Sequence, residues 1–258
     1  MIEVEDFDRV AVVRLAHGKV NALDLELITA IAETFRALDT RSHQAVVLTG
    51  VGIGFSAGVD LWRIIEGGPE YVAKFLPALS EAFEAVFAVG KPVVAAVNGH
   101  AIAGGCILAA CCDYRMMADD GSRIGVTELV VGVPFPVSAL EILRYALGGP
   151  RARAIVLGAN MYRPAIALGT GMVDELVAPE RLLERAVGYA RRLADQVPGD
   201  TYRFTKRQLQ LETVERIARL RPEQDPETLR LWQARTEDGS IRDYMERVTA
   251  RRTASSSG

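Results

Sequence analysis

Apolar and polar positions alternate along the first fifteen residues. Ile2-Glu3-Val4-Glu5 and Val10-Ala11-Val12-Val13-Arg14-Leu15 read as two strands joined by a turn near Asp6–Asp8. The period then changes. Leu27, Ile28, Ile31, Phe35 and Leu38 recur at helical spacing, so a helix is predicted over 23–38 with Asp24 as its N-cap. Ala45-Val46-Val47-Leu48-Thr49 is a short apolar strand, ended by Gly50-Val51-Gly52-Ile53-Gly54, and a longer helix is predicted from Pro69 to Val89. The pattern recurs. Val93–Val97 reads as a buried strand, Asn98-Gly99-His100 as a turn, and Gly104-Gly105 opens an apolar helix through Cys112. Arg123–Val126 is a third short strand, leading through Glu128 to Pro134-Phe135-Pro136 and a helix over 138–147. Strand, glycine turn and helix at a spacing of about 40 residues suggest an internal repeat of strand–strand–helix units.

Residues 148–180 carry a shorter helix, a Gly169–Gly171 turn and the run Met172–Val177. Beyond Pro179 the pattern is helical. Helices are predicted over 180–195, 201–218, 226–236 and 238–250, with Pro198, Pro222 and Pro226 as punctuation. Thr253 to Gly258 is small and polar and reads as a frayed tail. Repeated units of this kind predict an α/β fold with helices outside the sheets. The expected organisation is a core over 1–195, a C-terminal helical region over 196–252 and a tail over 253–258.

Composition narrows the class. The chain has 258 residues, 49% hydrophobic and 24% charged, with a formal charge of −3. That balance excludes a disordered chain, and the net acidity argues against a nucleic-acid-coating protein. The charge is uneven: residues 181–252 hold 16 basic and 12 acidic residues, against 14 and 21 in 1–180. This is either a solvated helical surface or a C-terminal part that meets a phosphate or another subunit. Cys106, Cys111 and Cys112 lie in one apolar run, two of them adjacent, which points to buried thiols in a reducing compartment. His17, His43 and His100 show no ligand spacing, so no metal site is expected. The N-terminus shows no signal peptide. The longest apolar stretch, 92–112, is interrupted by Asn98, His100 and three glycines and is not read as a membrane span. The cytoplasm is the expected location.

Two glycine-containing turns each follow a strand. They are Phe55-Ser56-Ala57-Gly58-Val59-Asp60-Leu61 and Asn98-Gly99-His100-Ala101-Ile102-Ala103-Gly104-Gly105. Neither is a phosphate fingerprint. Each places free backbone N–H groups near a helix start, where they can hold negative charge. Two such donors aimed at one point make an oxyanion hole, although paired glycines at such turns also serve as plain turn chemistry. Asp60 reads as a helix-start cap and Asp113 as a structural carboxylate. Cys106 has no His partner in sequence and is not expected to be a nucleophile.

These two segments, with Asn21-Ala22-Leu23 before them and Ile124-Gly125-Val126-Thr127-Glu128 after them, resemble the enoyl-CoA hydratase/isomerase family, the crotonase fold. The stretch from Lys91-Pro92 through Cys112-Asp113-Tyr114-Arg115 carries the most specific part of the likeness, which spans about residue 4 to 250. The resemblance implies a spiral of ββα repeats with a C-terminal helical region used in trimer assembly. It implies an acyl-CoA thioester as substrate, a homotrimer or dimer of trimers, and no nucleic acid or membrane partner. No cofactor is implied beyond the CoA moiety. The matching oxyanion donors are Val59 and Gly104, the latter needing to be small for a thioester to approach. The adenine and pantetheine are expected to run past Val20, Ala22, Ala57 and Leu61, with Lys19 nearby. Lys206 or Arg207 could meet a CoA phosphate. Asp60, Ala103, Thr127 and Pro136 complete the implied substrate contacts.

Family hydratases carry two glutamates across the substrate double bond. Here one position is Glu128 and the other is Ile107. Ile107 can neither accept a proton nor hold a water. A lone carboxylate suits a simpler task, taking a proton from one carbon and returning it to another. The resemblance therefore points to the isomerase branch, a shift of a 3-enoyl to a 2-enoyl thioester with Glu128 as base. The C-terminal Trp232 and the run from Glu237 to Tyr244 resemble that branch too. Weak hydration, another thioester-enolate reaction, and an acyl-CoA-binding protein without turnover remain the alternatives.

Overall fold

The computed structural model describes residues 1–255 of the chain. Strands β1 (Ile2–Phe7) and β2 (Val10–Leu15) form an antiparallel hairpin, followed by α1 (Leu25–Thr40). Asp24 caps α1 by accepting from Leu27 N–H at 2.8 Å. Three units of strand, strand and helix follow. They are β3 (Ala45–Gly50), β4 (Gly54–Ser56) and α2 (Leu61–Phe87); β5 (Val93–Val97), β6 (His100–Ile102) and α3 (Gly104–Ala110); and β7 (Tyr114–Ala118), β8 (Ile124–Gly125) and α4 (Glu128–Val131).

The first strand of each unit joins one sheet and the second joins another. With β9 (Met161–Tyr162) and β10 (Glu175–Val177), the large sheet runs β1-β2-β3-β5-β7-β10 and the small one β4-β6-β8-β9. From β2 to β10 the large sheet is parallel, and β4, β6 and β8 are parallel to one another. This is the α/β spiral of ββα units that the repeat predicted.

Both faces of the large sheet are covered, which is why its strands read as unbroken apolar runs. Ala11, Val13, Leu15, Val46 and Leu48 face the main core, which also takes in residues of α1, α2, α3 and α5 (Val137–Leu147). Their neighbours Val10, Val12, Ala45 and Val47 face the other way, under Ala186, Ala190 and Ala194 of α8 (Leu182–Gln196). Helix α6 (Gly149–Gly158) links α5 to β9, and α7 (Pro164–Thr170) links β9 to β10.

Three sequence expectations are corrected. Helix α2 begins eight residues before Pro69, capped by Asp60, which accepts from Trp62 and Arg63 N–H at 3.1 and 3.2 Å. Gly68, at φ 63°, kinks it just before Pro69, so the sequence showed only the second limb. Pro222 and Pro226 do not end a helix: α9 runs from Gly199 to Glu237. Tertiary bonds hold it on both sides of the prolines, from Arg221 to Glu84, from Asp225 to Val137 N–H and from Trp232 to Pro134 O. Helix α10 (Ser240–Ser255) takes in the start of the expected tail. The rest of that tail, 256–258, lies outside the described residues. No described helix is long and apolar enough to cross a membrane.

Candidate active site

Because β4, β6 and β8 are parallel neighbours, the turns that leave them lie side by side. In α/β sheets this carboxyl end of the strands is where ligands bind. Three segments meet there, and Asn21 anchors the first. Its side chain is fully buried, its φ is 49°, and its Nδ2 donates to the carbonyls around Gly54 and Phe55. Ser56 Oγ donates to Asn21 O at 2.7 Å and accepts from Gly58 N–H at 3.2 Å. Ala57 N–H donates to Val20 O. Leu23 donates to Gly58 O and accepts from Asp60 N–H, a parallel bridge that turns the Val59 N–H away from Leu23. Val20, Ala22, Ala57, Val59, Asp60 and Leu61 all sit half-buried along this seam.

The second turn is strained. Ala103 has φ 51° and ψ −119°, a conformation that side chains other than glycine rarely take. Its N–H donates to Gly125 O at 2.8 Å and its carbonyl accepts from Ile107 N–H at 3.1 Å. Gly104 is therefore the first residue of α3, and its N–H has no partner within the helix. The two turns touch: a Cβ on Gly58 would lie 3.2 Å from Gly104 N and 2.5 Å from Ile102 O. Among the described residues, neither Val59 nor Gly104 N–H donates to a backbone or side-chain acceptor. A Cβ on Gly104 would also meet Leu23 Cδ1, 2.8 Å away, so packing adds a second reason for a small residue there. The stricter position is Gly105, whose Cβ would lie 2.4 Å from Ser56 O.

Glu128 opens α4, next to the Gly125 that holds Ala103. It is 9% exposed and its Oε2 has no hydrogen-bond partner among the described residues. Burial pushes its pKa up to about 7, although the N–H groups of Glu128 and Thr127 favour the charged form. Among the described residues no cation offsets that burial. A carboxyl poised near neutrality can both accept and release a proton. Ile107 is 1% exposed and belongs to the apolar core. Thr127 is the half-buried residue at the N-terminus of α4.

Other sequence-derived residues lie elsewhere. Pro136 stands before α5 on the wall of a separate, mainly apolar cavity of about 770 Å³ between α2, α5 and α9, which does not include Glu128, Val59 or Gly104. Lys206 is not available to a phosphate: it is 5% exposed and its Nζ sits 2.7 Å from Asp113 Oδ2. Asp113 also accepts from Val93 N–H, so it ties α9 to the start of β5. Burial raises the Cys106 thiol far above its ordinary pKa, which leaves it inert as a nucleophile. No group of His, Cys, Asp and Glu among the described residues is arranged to hold a metal ion. One residue near the site carried no sequence signal. Tyr71 Oη accepts from Leu25 N–H at 2.9 Å, joining α2 to the start of α1. Tyr244 of α10, in the run that resembles the isomerase branch, is half-buried against the main core.

The fold and the site together define a class of α/β protein, a ββα spiral with two free N–H groups and one buried carboxyl at one end of its small sheet. The chain belongs to the enoyl-CoA hydratase/isomerase family, whose model matches residues 5–251. Mouse mitochondrial enoyl-CoA delta isomerase 1 is 32% identical over 225 residues, 86% of this chain and 77% of that protein. A putative enoyl-CoA hydratase from Thermus thermophilus is 35% identical over 211 residues, 80% of this chain and 82% of the relative. The crystal structure of human mitochondrial delta3-delta2-enoyl-CoA isomerase superposes with a TM-score of 0.89 at 28% identity, covering 97% of this chain and 98% of that one.

Proposed function

We propose that this protein is an enoyl-CoA isomerase that shifts a 3-enoyl-CoA to the conjugated 2-enoyl-CoA. One observation carries the reading: Glu128 is a buried carboxyl of near-neutral pKa without a cation, at the same strand ends as two unengaged N–H groups. The Val59 and Gly104 N–H groups hold the thioester oxygen. Glu128 removes a proton from C2, the C2–H electrons form C1=C2 as the carbonyl pair moves onto that oxygen to give a dienolate, and the pair then returns as C1=C2 becomes C2=C3 and the C3=C4 electrons take the proton back from the same carboxyl at C4. The double bond ends between C2 and C3, and nothing is gained or lost. Each donor contributes roughly 3–4 kcal/mol to the lowering of the barrier. Ile107 in place of a second carboxylate argues against hydration, which needs a held water.

The seam from Val20 and Ala22 to Ala57 and Leu61 takes the CoA moiety, and no other cofactor is required. With Lys206 paired inside the fold, Lys19 and Arg207 are the exposed cations left for its phosphates. Exposed Phe204, Leu209 and Leu211 on α9 support a homotrimer or dimer of trimers. Free, buried thiols support a reducing compartment, and the cytoplasm is the proposed location.

The test is to incubate purified protein separately with 3-enoyl-CoA and 2-enoyl-CoA. The expected result is conjugated thioester from the first and no 3-hydroxy product from the second. Hydroxy product would establish hydration, and binding without either product would establish a silent acyl-CoA binder.

A further inference from the structure

The start of α1 depends on a side chain from α2. Leu25 is the first residue of α1, so its N–H has no acceptor within the helix. The N-cap, Asp24, is engaged elsewhere. One of its oxygens accepts from Leu27 N–H at 2.8 Å and the other lies 2.6 Å from His17 Nε2. Leu25 N–H donates instead to Tyr71 Oη at 2.9 Å. Tyr71 stands just past the kink in α2, half-buried and stacked on Phe75 with ring centroids 5.8 Å apart.

The same stretch of chain aims one donor of the candidate site. Two residues before Leu25, Leu23 N–H donates to Gly58 O at 2.8 Å and Leu23 O accepts from Asp60 N–H at 2.9 Å. The Gly58 carbonyl and the Val59 N–H belong to one planar peptide unit and point in opposite directions. The bond from Leu23 therefore sets the direction of the Val59 N–H. A further tie closes the ring. Arg63, on the first limb of α2, reaches Glu26 Oε1 at 2.5 Å and lies over the Tyr71 ring, 6.0 Å from its centroid. The limb sits tightly on Tyr71: a Cβ on Gly67 would lie 2.4 Å from Tyr71 Cβ. Residues 23–26 are thus held at Gly58, Asp60, Arg63 and Tyr71, on both sides of the kink at Gly68.

An oxyanion donor works by its direction. Its hydrogen bond weakens steeply as it bends, and it must meet the oxygen where the charge develops. The Gly104 donor is aimed by the start of α3. The Val59 donor is aimed by one peptide plane, whose partner Leu23 is placed in turn by the start of α1. Among the bonds that tie residues 23–26 to α2, the one from Tyr71 is the half-buried one past the kink. The Arg63–Glu26 pair is exposed, and such pairs hold weakly.

We propose that Tyr71 is a positioning residue of the reaction: by accepting from Leu25 N–H it fixes the start of α1, and through Leu23 it aims the Val59 N–H at the thioester oxygen. This rests on the reading of Val59 and Gly104 as the thioester donors. The experiment binds 2-hexenoyl-CoA, isotopically labelled at C1, and reads its carbonyl stretch by infrared difference spectroscopy. It also measures kcat and KM with 3-hexenoyl-CoA. Well-aimed donors draw electrons from the C=O bond, so the wild type is expected to lower the stretch below that of the free thioester. Tyr71→Phe keeps the ring and its stacking and loses only the acceptor. It is expected to give back about half of that lowering and to reduce kcat by about tenfold, with KM changing far less. Glu26→Gln loosens the same ring of contacts from the solvent side and is expected to move the stretch the same way by a smaller amount. A stretch in Tyr71→Phe equal to the wild type overturns the proposal, because a purely structural role would reduce the folded protein without turning the donor. A moved stretch with unchanged kcat overturns it too. Where Tyr71→Phe does not fold, an unchanged stretch in Glu26→Gln decides against it. These results leave the isomerase reading standing. A wild type that binds the probe without lowering its stretch removes the donor reading, and the role of Tyr71 goes with it.

Discussion

The buried carboxyl of Glu128 and the buried or half-buried carboxylates that face α9 answer the same problem in opposite ways. Glu141, with a side chain 5% exposed, receives a two-pronged contact from Arg216 at 2.8 and 3.2 Å. Asp113 receives Lys206, and Glu84 receives Arg221. Each of these acids has a cation, and each pair joins α9 to the body of the spiral. Glu128 has none among the described residues, and its pKa rises instead. A buried charge with a partner holds helices together, whereas a buried carboxyl without one destabilises the fold and is free to do chemistry. The acidic residues in this chain do not announce which kind they are. Their surroundings decide it.

The contrast is broken most directly at Glu128. Glu128→Gln keeps the shape and removes the base, so isomerisation is expected to fall by about 10⁴-fold. Acyl-CoA affinity should survive, because the N–H donors and the CoA seam are untouched. Turnover measured by conjugated-thioester absorbance and binding measured by calorimetry separate the two effects. Near-normal turnover would show that another group is the base.

The opposite result is expected on the α9 seam. Lys206→Met leaves Asp113 without its cation and is expected to cost about 3 kcal/mol or more of stability. Urea unfolding reads that loss. Turnover per folded molecule and the salt dependence of acyl-CoA binding should not change, since Lys206 faces Asp113 and not solvent. A weaker, less salt-sensitive complex would return Lys206 to the phosphate role.

A third test uses pH. The Glu128 carboxyl titrates near 4.5 when unfolded and near 7 when folded. Below pH 4.5 both states are protonated and the shift has no effect. Between 4.5 and 7 the unfolded chain loses its proton and the native one keeps it, so native stability falls as pH rises. Above 7 the loss is complete. Glu128→Gln lacks this term, so its advantage over wild type should grow from nothing at pH 4 to about 3 kcal/mol at pH 8. The kcat/KM of the wild type should rise over the same interval and level off near pH 7, as the base ionises. A flat stability difference between the two proteins would mean that Glu128 is not desolvated in solution.

How much of this was legible in the sequence follows from how local each signal is. The strands β3 and β5 and the caps Asp24 and Asp60 are written within a few residues, and the reading found them. The first limb of α2 was hidden by Gly67-Gly68-Pro69, which reads as a start and not as a kink. The continuity of α9 was hidden by Pro222 and Pro226, because the bonds that override them come from Glu84, Val137 and Pro134, far off in sequence. Lys206 was taken for a surface cation because its partner lies 93 residues away. The resemblance located Glu128, but its buried environment exists only once α4 has packed on the core and α10 on α4.

Smaller effects sharpen the picture of the second turn. Gly105→Ala sets a Cβ against the Ser56 carbonyl, a backbone atom that cannot step aside, and is expected to cost about 1–3 kcal/mol. Gly104→Ala meets only the end of the Leu23 side chain, which can rotate, so it should cost less than about 1 kcal/mol. Thermal melts of the two variants order them. If Gly104→Ala proved the more damaging to folding, the packing argument would be wrong; if it folded normally and lost turnover, approach to the thioester would be the reason for glycine.

The opposing terms at Ala103 carry a separate lesson. At φ 51° and ψ −119° an alanine costs about 1–3 kcal/mol, which glycine would relieve. Glycine also gives the unfolded chain more freedom, a loss of roughly 0.5–1 kcal/mol. The two partly cancel, so Ala103→Gly should raise stability by between zero and about 2 kcal/mol. Its effect on turnover should have the opposite sign. Ala103 holds the Gly104 N–H in line by bonding Gly125 O on one side and Ile107 N–H on the other, and a glycine hinge there would let that donor wander from the thioester oxygen. A variant that is slightly more stable and measurably slower, with KM little changed, would show that the strain serves the donor's direction. A variant that is less stable with unaltered turnover would show that the alanine is there for the fold alone.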